Sequence, residues 1–472
     1  MNSNNFDDWV DDKIKDCITN KKHFFMFAGA GSGKTRSLVN ALTFIANEQG
    51  ASLLAQSKRV AVITYTNAAC DEIMRRIGYN PLFTVSTIHS FLWELIKPFQ
   101  RDIKKWVGVK LQGDLLELDV KKAKARSKDY SGEVTKKKEQ LDNLNKFSRF
   151  IYNPNGMNLE RNSLNHAQVI SKGAEFIGIS ETVQYVLTSK FPILLIDESQ
   201  DTKKELVDAL LEIEEKYKGC FVIGMFGDVM QRIYTDGKEN MEAFIPDSWE
   251  KPNKTMNHRS NKRIIQLANA VRQPLDGIEQ QPRTDKTEGY VRLFVMPDVI
   301  NKERAESYVF TKMAEITSDN NWLIADERKT LVLEHSMAAS RLGFTSIDSA
   351  LRKQFGQSYL DGSIEEIRFL MTIVYPIVCA RLNKDEFALM KVLRKYAAPL
   401  RNERLSTSAN QNEVLKSINE NIHALVSLWD EEKAPNCIDV FKKLSKMDLF
   451  ALPKRIEQVL DAKAVENVYL VF

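Results

Sequence analysis

The stretch FAGAGSGKTRSLVNAL, residues 27–42, decides how the chain is read. The apolar run HFFMFAG (23–29) leads into it and helical spacing leads out, so it sits at a strand–loop–helix junction. Gly29, Gly31 and Gly33 let backbone N–H groups turn toward phosphate oxygens with no Cβ in the way. Lys34 is placed to reach the β- and γ-phosphates of a nucleotide, and the Thr35 hydroxyl to bind Mg²⁺. The strict spacing G-x-x-x-x-G-K-[ST] has Ala28 at its first position, a mild departure. The expected phosphate cradle runs from Ala28 through Gly29, Ala30, Gly31, Ser32, Gly33, Lys34 and Thr35 to Arg36.

Three further apolar runs read as buried strands: RVAVITY (59–65), FPILLIDE (191–198) and CFVIGMFGD (220–228). Each is followed by helical spacing, and alternating strands and helices imply a parallel sheet covered on both faces. Such sheets bind ligands at the carboxyl ends of their strands, where all four runs carry polar residues. The run ending in Asp197-Glu198 supplies the other half of a nucleotide site: Asp197 for the metal, Glu198 to polarise the attacking water. A strand ending in two acids is weak evidence alone and strong evidence beside a phosphate loop.

The bulk numbers set outer limits. A chain of 472 residues has room for about three or four domains. A net charge of +4 permits nucleic-acid binding without arguing for it. Five scattered cysteines with no CxxC pair fit reduced thiols. The N-terminus is acidic and polar, unlike a signal peptide, and no run of about 18 apolar residues occurs. A cytoplasmic protein with no membrane span is therefore expected.

The motifs AGAGSGKT, ITYTNAACDEI, VSTIHSF, LLIDESQD, GDVMQRIY and NHRSNKRIIQLAN occur in the order and rough spacing of the UvrD/Rep-like superfamily 1 DNA helicases. The chain resembles that family densely over 26–99 and 190–272, and more weakly at 330–344. The resemblance implies an α/β fold: two RecA-like P-loop parallel-sheet cores with helical inserted subdomains. On that pattern 1–100 is the first core and 101–188 a helical insertion, with 189–254 continuing the core. Residues 255–345 begin the second core, with GYVRLFVM (289–296) and TLVLEH (330–335) as strands. Residues 346–472 form a helical subdomain, a return to the second core at its end being left open.

The resemblance also implies site roles, with ATP and Mg²⁺ as ligands. Gln231 matches the γ-phosphate sensor, its amide able to donate to a phosphate oxygen or to orient water. Arg259 matches an arginine finger, and His258 stands where the family often packs a Tyr on adenine. Single-stranded or tailed DNA would meet Thr64, Tyr65, Thr66 and Asn67, and then Thr87, His89 and Ser90.

Departures from the pattern matter equally. Residues 1–22 offer no Gln to read adenine, and Thr235-Asp236-Gly237 stand where the family commonly has an aromatic and basic pair that stacks on DNA. The later motifs of the family are not found, and the apolar VENVYLVF (465–472) reads as a buried strand. The basic run 121–138 reads more simply as a solvated helix face than as a DNA track.

The expectation is an ATP-dependent DNA helicase or translocase of UvrD type. Its rival is a DNA-stimulated ATPase sensor without processive unwinding, paired with a nuclease in anti-phage defence of the Gabija type. A non-catalytic, nucleotide-gated scaffold is the reading from another class.

Overall fold

In a computed structural model, the structure describes residues 7–124, 131–152, 162–231, 241–275, 277–297, 302–356, 359, 362, 364–400, 411–429 and 435–461. It divides into two compact units: Met1–Pro154 with Asn158–Arg328, and Asn155–Met157 with Lys329–Phe472.

The first unit is built on the four apolar runs. They form β1 (Phe24–Ala28), β2 (Val60–Thr64), β6 (Ile193–Ile196) and β7 (Val222–Gly227). Two strands the sequence reading did not pick out join them: β3 (Phe83–Thr87) and the short β8 (Asn253–Lys254). The sheet is parallel throughout, in the order β3-β2-β6-β7-β1-β8.

Successive side chains point to opposite faces, so each run feeds two cores. Phe25, Ala61, Ile63, Leu194, Ile196, Ile223 and Met225 enter one. Phe24, Met26, Val60, Val62, Ile193, Leu195 and Val222 enter the other. On this second face lie α1 (Asp8–Thr19) and α2 (Lys34–Glu48). The first is covered by α5 (Ile88–Ile96), α8 (His166–Ile179), α9 (Glu181–Lys190) and α10 (Lys204–Lys216). The remaining early helices are α3 (Gly50–Ala55) and α4 (Asn67–Arg76).

β7 is thin by design. A Cβ on Gly224 would stand 2.3 Å from Phe24 Cζ, so the Phe24 ring occupies the space that any side chain at 224 would need. Ring and strand pack without a gap, which suits close-packed interiors.

Helices α6 (Gln100–Lys124) and α7 (Ser131–Asn143), with the small pair β4 (Ile151–Tyr152) and β5 (Ser163–Leu164), lie within the span read as an insertion. That insertion was drawn to residue 188, but α8 and α9 belong to the sheet's helical cover. Gly173 of α8 lies so close to Leu92 of α5 that a Cβ there would be 3.0 Å from the Leu92 Cβ. The start of α8 is set by a capping box between Asn165 and Gln168. Of the basic run 121–138, the side chains from 121 to 133 lie outside the described residues.

After α11 (Met241–Phe244) and β8 the chain forms β9 (Met256–Asn257), α12 (Lys262–Arg272) and β10 (Gln281–Pro282), which bring Asn257 and Gln280 onto the phosphate loop. The expected second-core strands do not form a sheet among the described residues. Residues 289–296 and 330–335 belong to no strand, and Leu293 and Leu331 are 89% and 96% exposed. Their apolar, β-branched composition was read as a strand signal. A strand also needs a hydrogen-bonded neighbour, and neither run pairs with a strand among the described residues.

The described elements of the second unit are helical. Glu365–Phe369, Tyr375–Leu382, Glu386–Tyr396, Gln411–Val426 and Cys437–Ser445 enclose a core of Phe369, Ile377, Leu393, Ile422 and Phe441. A π-helical turn at Leu370–Val374 precedes Pro376, which has no N–H to give to the helix ladder. The strand expectation at 465–472 lies outside the described residues. No helix of the described residues is long and apolar enough to cross a membrane.

Candidate nucleotide site

β1 ends at Ala28 and the chain turns through Gly31 (φ 76°) and Gly33 (φ 89°) before α2 begins at Lys34. Both glycines adopt left-handed backbone, which a side chain opposes. The turn is braced from within, Ser32 Oγ donating to Gly29 O at 2.7 Å. Lys34 is buried and its Nζ lies 3.4 Å from Ala28 O.

The acids arrive from β6, two strands away with β7 between, a gap of about 10 Å. Lys34 spans it: its Nζ is 3.7 Å from Glu198 Oε2. Glu198 is presented by a left-handed turn (φ 48°), held by Gln200 Nε2 donating to Glu198 Oε2 at 2.9 Å. Gly227 makes room for this turn, since a Cβ there would meet Ser199 Oγ at 2.5 Å. Asp197 sits deeper, accepting from the Glu198 N–H at 3.1 Å. Burial, then the Glu198 charge, push its carboxyl up to about 6; the Glu198 N–H and Lys34 act the other way.

These groups open onto one cleft of about 400 Å³. Of the residues expected to bind or act on nucleotide, Gly29, Ala30, Gly31, Gly33, Lys34, Thr35, Arg36, Glu198, Gln231, His258 and Arg259 line it. Ala28, Ser32 and Asp197 lie just beneath, buried. Arg76, from the end of α4, also faces the cleft and was not foreseen. Burial, and then the charges of Lys254, Arg283 and Arg36, hold the His258 imidazole below its usual pKa.

Four further residues that motif reading missed hold the cleft together. Asn257 Nδ2 donates to Ala30 O at 2.9 Å, while its Oδ1 accepts from the N–H groups of Arg259 and Ser260 at 2.9 Å each. Gln280 Nε2 donates to the same Ala30 O at 3.0 Å. Asp228 accepts from Gln231 Nε2 at 2.6 Å, and Arg272 forks onto Asp228. Asn257 stands inside a quoted motif and could have been suspected. Gln280 lies in an irregular segment 250 positions from Ala30, with no local pattern to flag it.

The residues expected to contact DNA line the carboxyl ends of β2 and β3, at the opposite side of the sheet from β8. Thr66 and Asn67 are exposed, and Thr66 caps α4 by accepting from Ala69 N at 3.1 Å. Tyr65 is half-buried. Thr87 caps α5 and donates to Ser90 Oγ at 3.1 Å. His89 packs edge-on against His166, ring centroids 4.1 Å apart, and burial with the His166 charge lowers its pKa to about 4. Thr64 departs from the expectation. It is fully buried, because β2 lies inside the sheet with both faces covered, and it offers no surface to DNA. Thr235, Asp236 and Gly237 lie outside the described residues.

A glycine loop between strand and helix, a lysine meeting an acid across the sheet and a cationic cleft define a P-loop protein, and residues 12–236 match the AAA domain family. The chain is 25% identical over 399 residues to the Gabija protein GajB of Bacillus cereus, covering 69% of this chain and 57% of that protein. It is 22% identical over 494 residues to the ATP-dependent DNA helicase PcrA of Staphylococcus epidermidis, covering 93% of this chain and 60% of that one. The PcrA of Staphylococcus aureus is 22% identical over 444 residues. The chain thus spans about 60% of the length of the curated relatives it matches. These matches support a likeness to the UvrD/Rep-like superfamily 1 helicases, the Gabija protein among the relatives.

Proposed function

We propose that the protein is an Mg²⁺-dependent ATPase of UvrD type that acts on DNA. The observation that carries this reading is the approach of Lys34 Nζ to Glu198 Oε2, 3.7 Å, at a cleft also lined by Thr35, Gln231 and Arg259. The residues fit Mg²⁺: a hydroxyl from Thr35 and the buried Asp197 carboxylate are hard oxygen donors, and Asp197 is held by burial beside a second acid. When bound, the ion would neutralise charge on the phosphate oxygens. Lys34 and the loop N–H groups would bind the phosphates, and Arg259 would offset charge developing on the transferred group. Glu198 would accept a proton from the attacking water. The water oxygen bonds to the γ-phosphorus while the β–γ bridging oxygen leaves, keeping the electron pair, on ADP.

DNA would run along the carboxyl ends of β2 and β3, with Tyr65 offering a face for a base and Thr66, Asn67, Ser90 and His89 near the backbone. A cytoplasmic location goes with this reading.

One observation favours a variant of it. The runs 289–296 and 330–335, expected in a second core, join no sheet among the described residues. This suits a DNA-stimulated sensor that works with a nuclease partner in anti-phage defence, as the relation to a Gabija protein suggests. A non-catalytic scaffold fits less well, since binding alone has no use for Glu198.

The test is ATP turnover with and without single-stranded DNA, followed by strand displacement on a tailed duplex. Stimulated turnover with displacement supports the motor, and stimulated turnover alone the sensor. No turnover in either condition overturns both and leaves the scaffold.

A further inference from the structure

Arg272 ends α12 and is buried, yet no motif gives it a task. Its guanidinium forks onto Asp228, Nη1 donating to Oδ2 and Nη2 to Oδ1, both at 3.2 Å. Asp228 follows β7 and is itself 3% exposed. Its Oδ2 also accepts from Gln231 Nε2, and Gln231 lines the nucleotide cleft. The same Nη1 lies beside the phosphate loop, since a Cβ built on Gly29 would be 3.0 Å from it. One buried cation therefore touches the loop and, through one carboxylate, the cleft glutamine.

Helix α12 grips the loop by a second route. Asn269, one turn earlier, donates to Gln280 O at 2.8 Å and accepts from Gln280 N at 2.9 Å. Gln280 in turn donates to Ala30 O. The two contacts fix where α12, and so Arg272, stands relative to the loop.

The chemistry of the fork then decides an orientation. A carboxylate accepts and does not donate, so the Gln231 atom facing Asp228 is the amide nitrogen. With both oxygens held by a planar guanidinium, the carboxylate has one setting, and so has the amide it anchors. The carbonyl Oε1 is then the end of Gln231 turned away from Asp228. That carbonyl accepts from water, while one of the two amide N–H groups is already given to Asp228.

We propose that Arg272 is a positioning residue for hydrolysis: through Asp228 it sets Gln231 with its carbonyl as an acceptor for the attacking water. Its contact at Gly29 ties that setting to the seating of the phosphate loop. This rests on the cleft being an ATPase site, and of the two roles open to Gln231 it assigns the water-orienting one. A lysine at 272 keeps the charge but loses the fork, and the carboxylate regains freedom to rotate.

The test compares wild type, Arg272→Lys, Gln231→Ala and the double variant. Turnover is measured beside equilibrium binding of a fluorescent non-hydrolysable ATP analogue. Arg272→Lys is expected to lower kcat at least about tenfold while analogue Kd stays within about threefold, and the double variant to be no slower than Gln231→Ala alone. Losses that multiply in the double variant, or analogue binding that falls as far as kcat, overturn the proposal and leave Arg272 a support for the fold. If Arg272→Lys does not fold, judged by its melting transition, Asp228→Asn takes its place with the same expectations. Wild type that binds analogue but never turns over ATP removes the functional reading, and this inference with it. Wild type that turns over ATP with an additive cycle removes this inference alone.

Discussion

Replacing Gly31 by Ala separates two forces that shape the phosphate loop. The residue has φ 76°, and a Cβ there would stand 2.8 Å from Asn257 Oδ1 and 2.9 Å from Arg259 Cβ. The left-handed backbone costs a non-glycine residue about 1–2 kcal/mol. Overpacking adds about 1–3 kcal/mol where neighbours cannot give way. Asn257 cannot yield easily, because its Oδ1 holds the N–H groups of Arg259 and Ser260 and its Nδ2 holds Ala30 O. Gly219 provides the control: its φ is 78°, but nothing lies within 4 Å of a Cβ built on it. Gly219→Ala should therefore pay the backbone cost alone. Denaturant unfolding should show Gly31→Ala less stable than Gly219→Ala by about 1–3 kcal/mol. Because the displaced atoms belong to the Arg259 segment, Gly31→Ala should also slow ATP turnover and Gly219→Ala should not. Equal unfolding midpoints for the two variants would refute the claim that the 257–260 segment is seated on the loop.

Two other perturbations follow from buried charge. His23 Nδ1 accepts from the Ile223 N–H at 3.0 Å, and burial lowers its pKa from 6.5 to about 4 despite Glu214 Oε1 at 3.6 Å from Nε2. The unfolded chain takes up this proton first, so stability is intact above pH 6.5 and falls as pH drops toward 4. The loss is at most about 3 kcal/mol, and His23→Gln should flatten the dependence of the urea midpoint across that window; an unchanged slope would count against it. Asp11 accepts from Ser37 and Asn40 and pairs with the buried Lys254 at 2.9 Å, fastening α1 to α2 and β8. Asp11→Ala leaves that ammonium uncompensated and should cost about 3–5 kcal/mol. Adding Lys254→Met should recover much of it, and a cost under about 1 kcal/mol for Asp11→Ala would contradict the account.

What could be read from sequence, and what could not, divides along physical lines. The four central strands were legible because a strand buried on both faces must be apolar throughout, as ILLI at 193–196 is. β3 escaped because FTVST is only partly buried and carries three hydroxyl residues. The phosphate loop and the two acids were legible because their chemistry demands particular residues at fixed spacing. The supports were not. Gln280 and Arg272 reach the loop and Asp228 through tertiary packing, and neither stands in a pattern that sequence spacing could reveal. At 289–296 and 330–335 the composition spoke for strands, but propensity does not supply a neighbour to pair with.

The most direct test measures nucleotide binding and nucleotide turnover side by side in Lys34→Ala and Glu198→Gln. If the two side chains serve one bound triphosphate, Lys34→Ala should lose affinity for ATP, while Glu198→Gln should hold ATP as wild type does and cleave it about 10²-fold more slowly or worse. Variants that both bind and cleave ATP like the wild type would contradict the account.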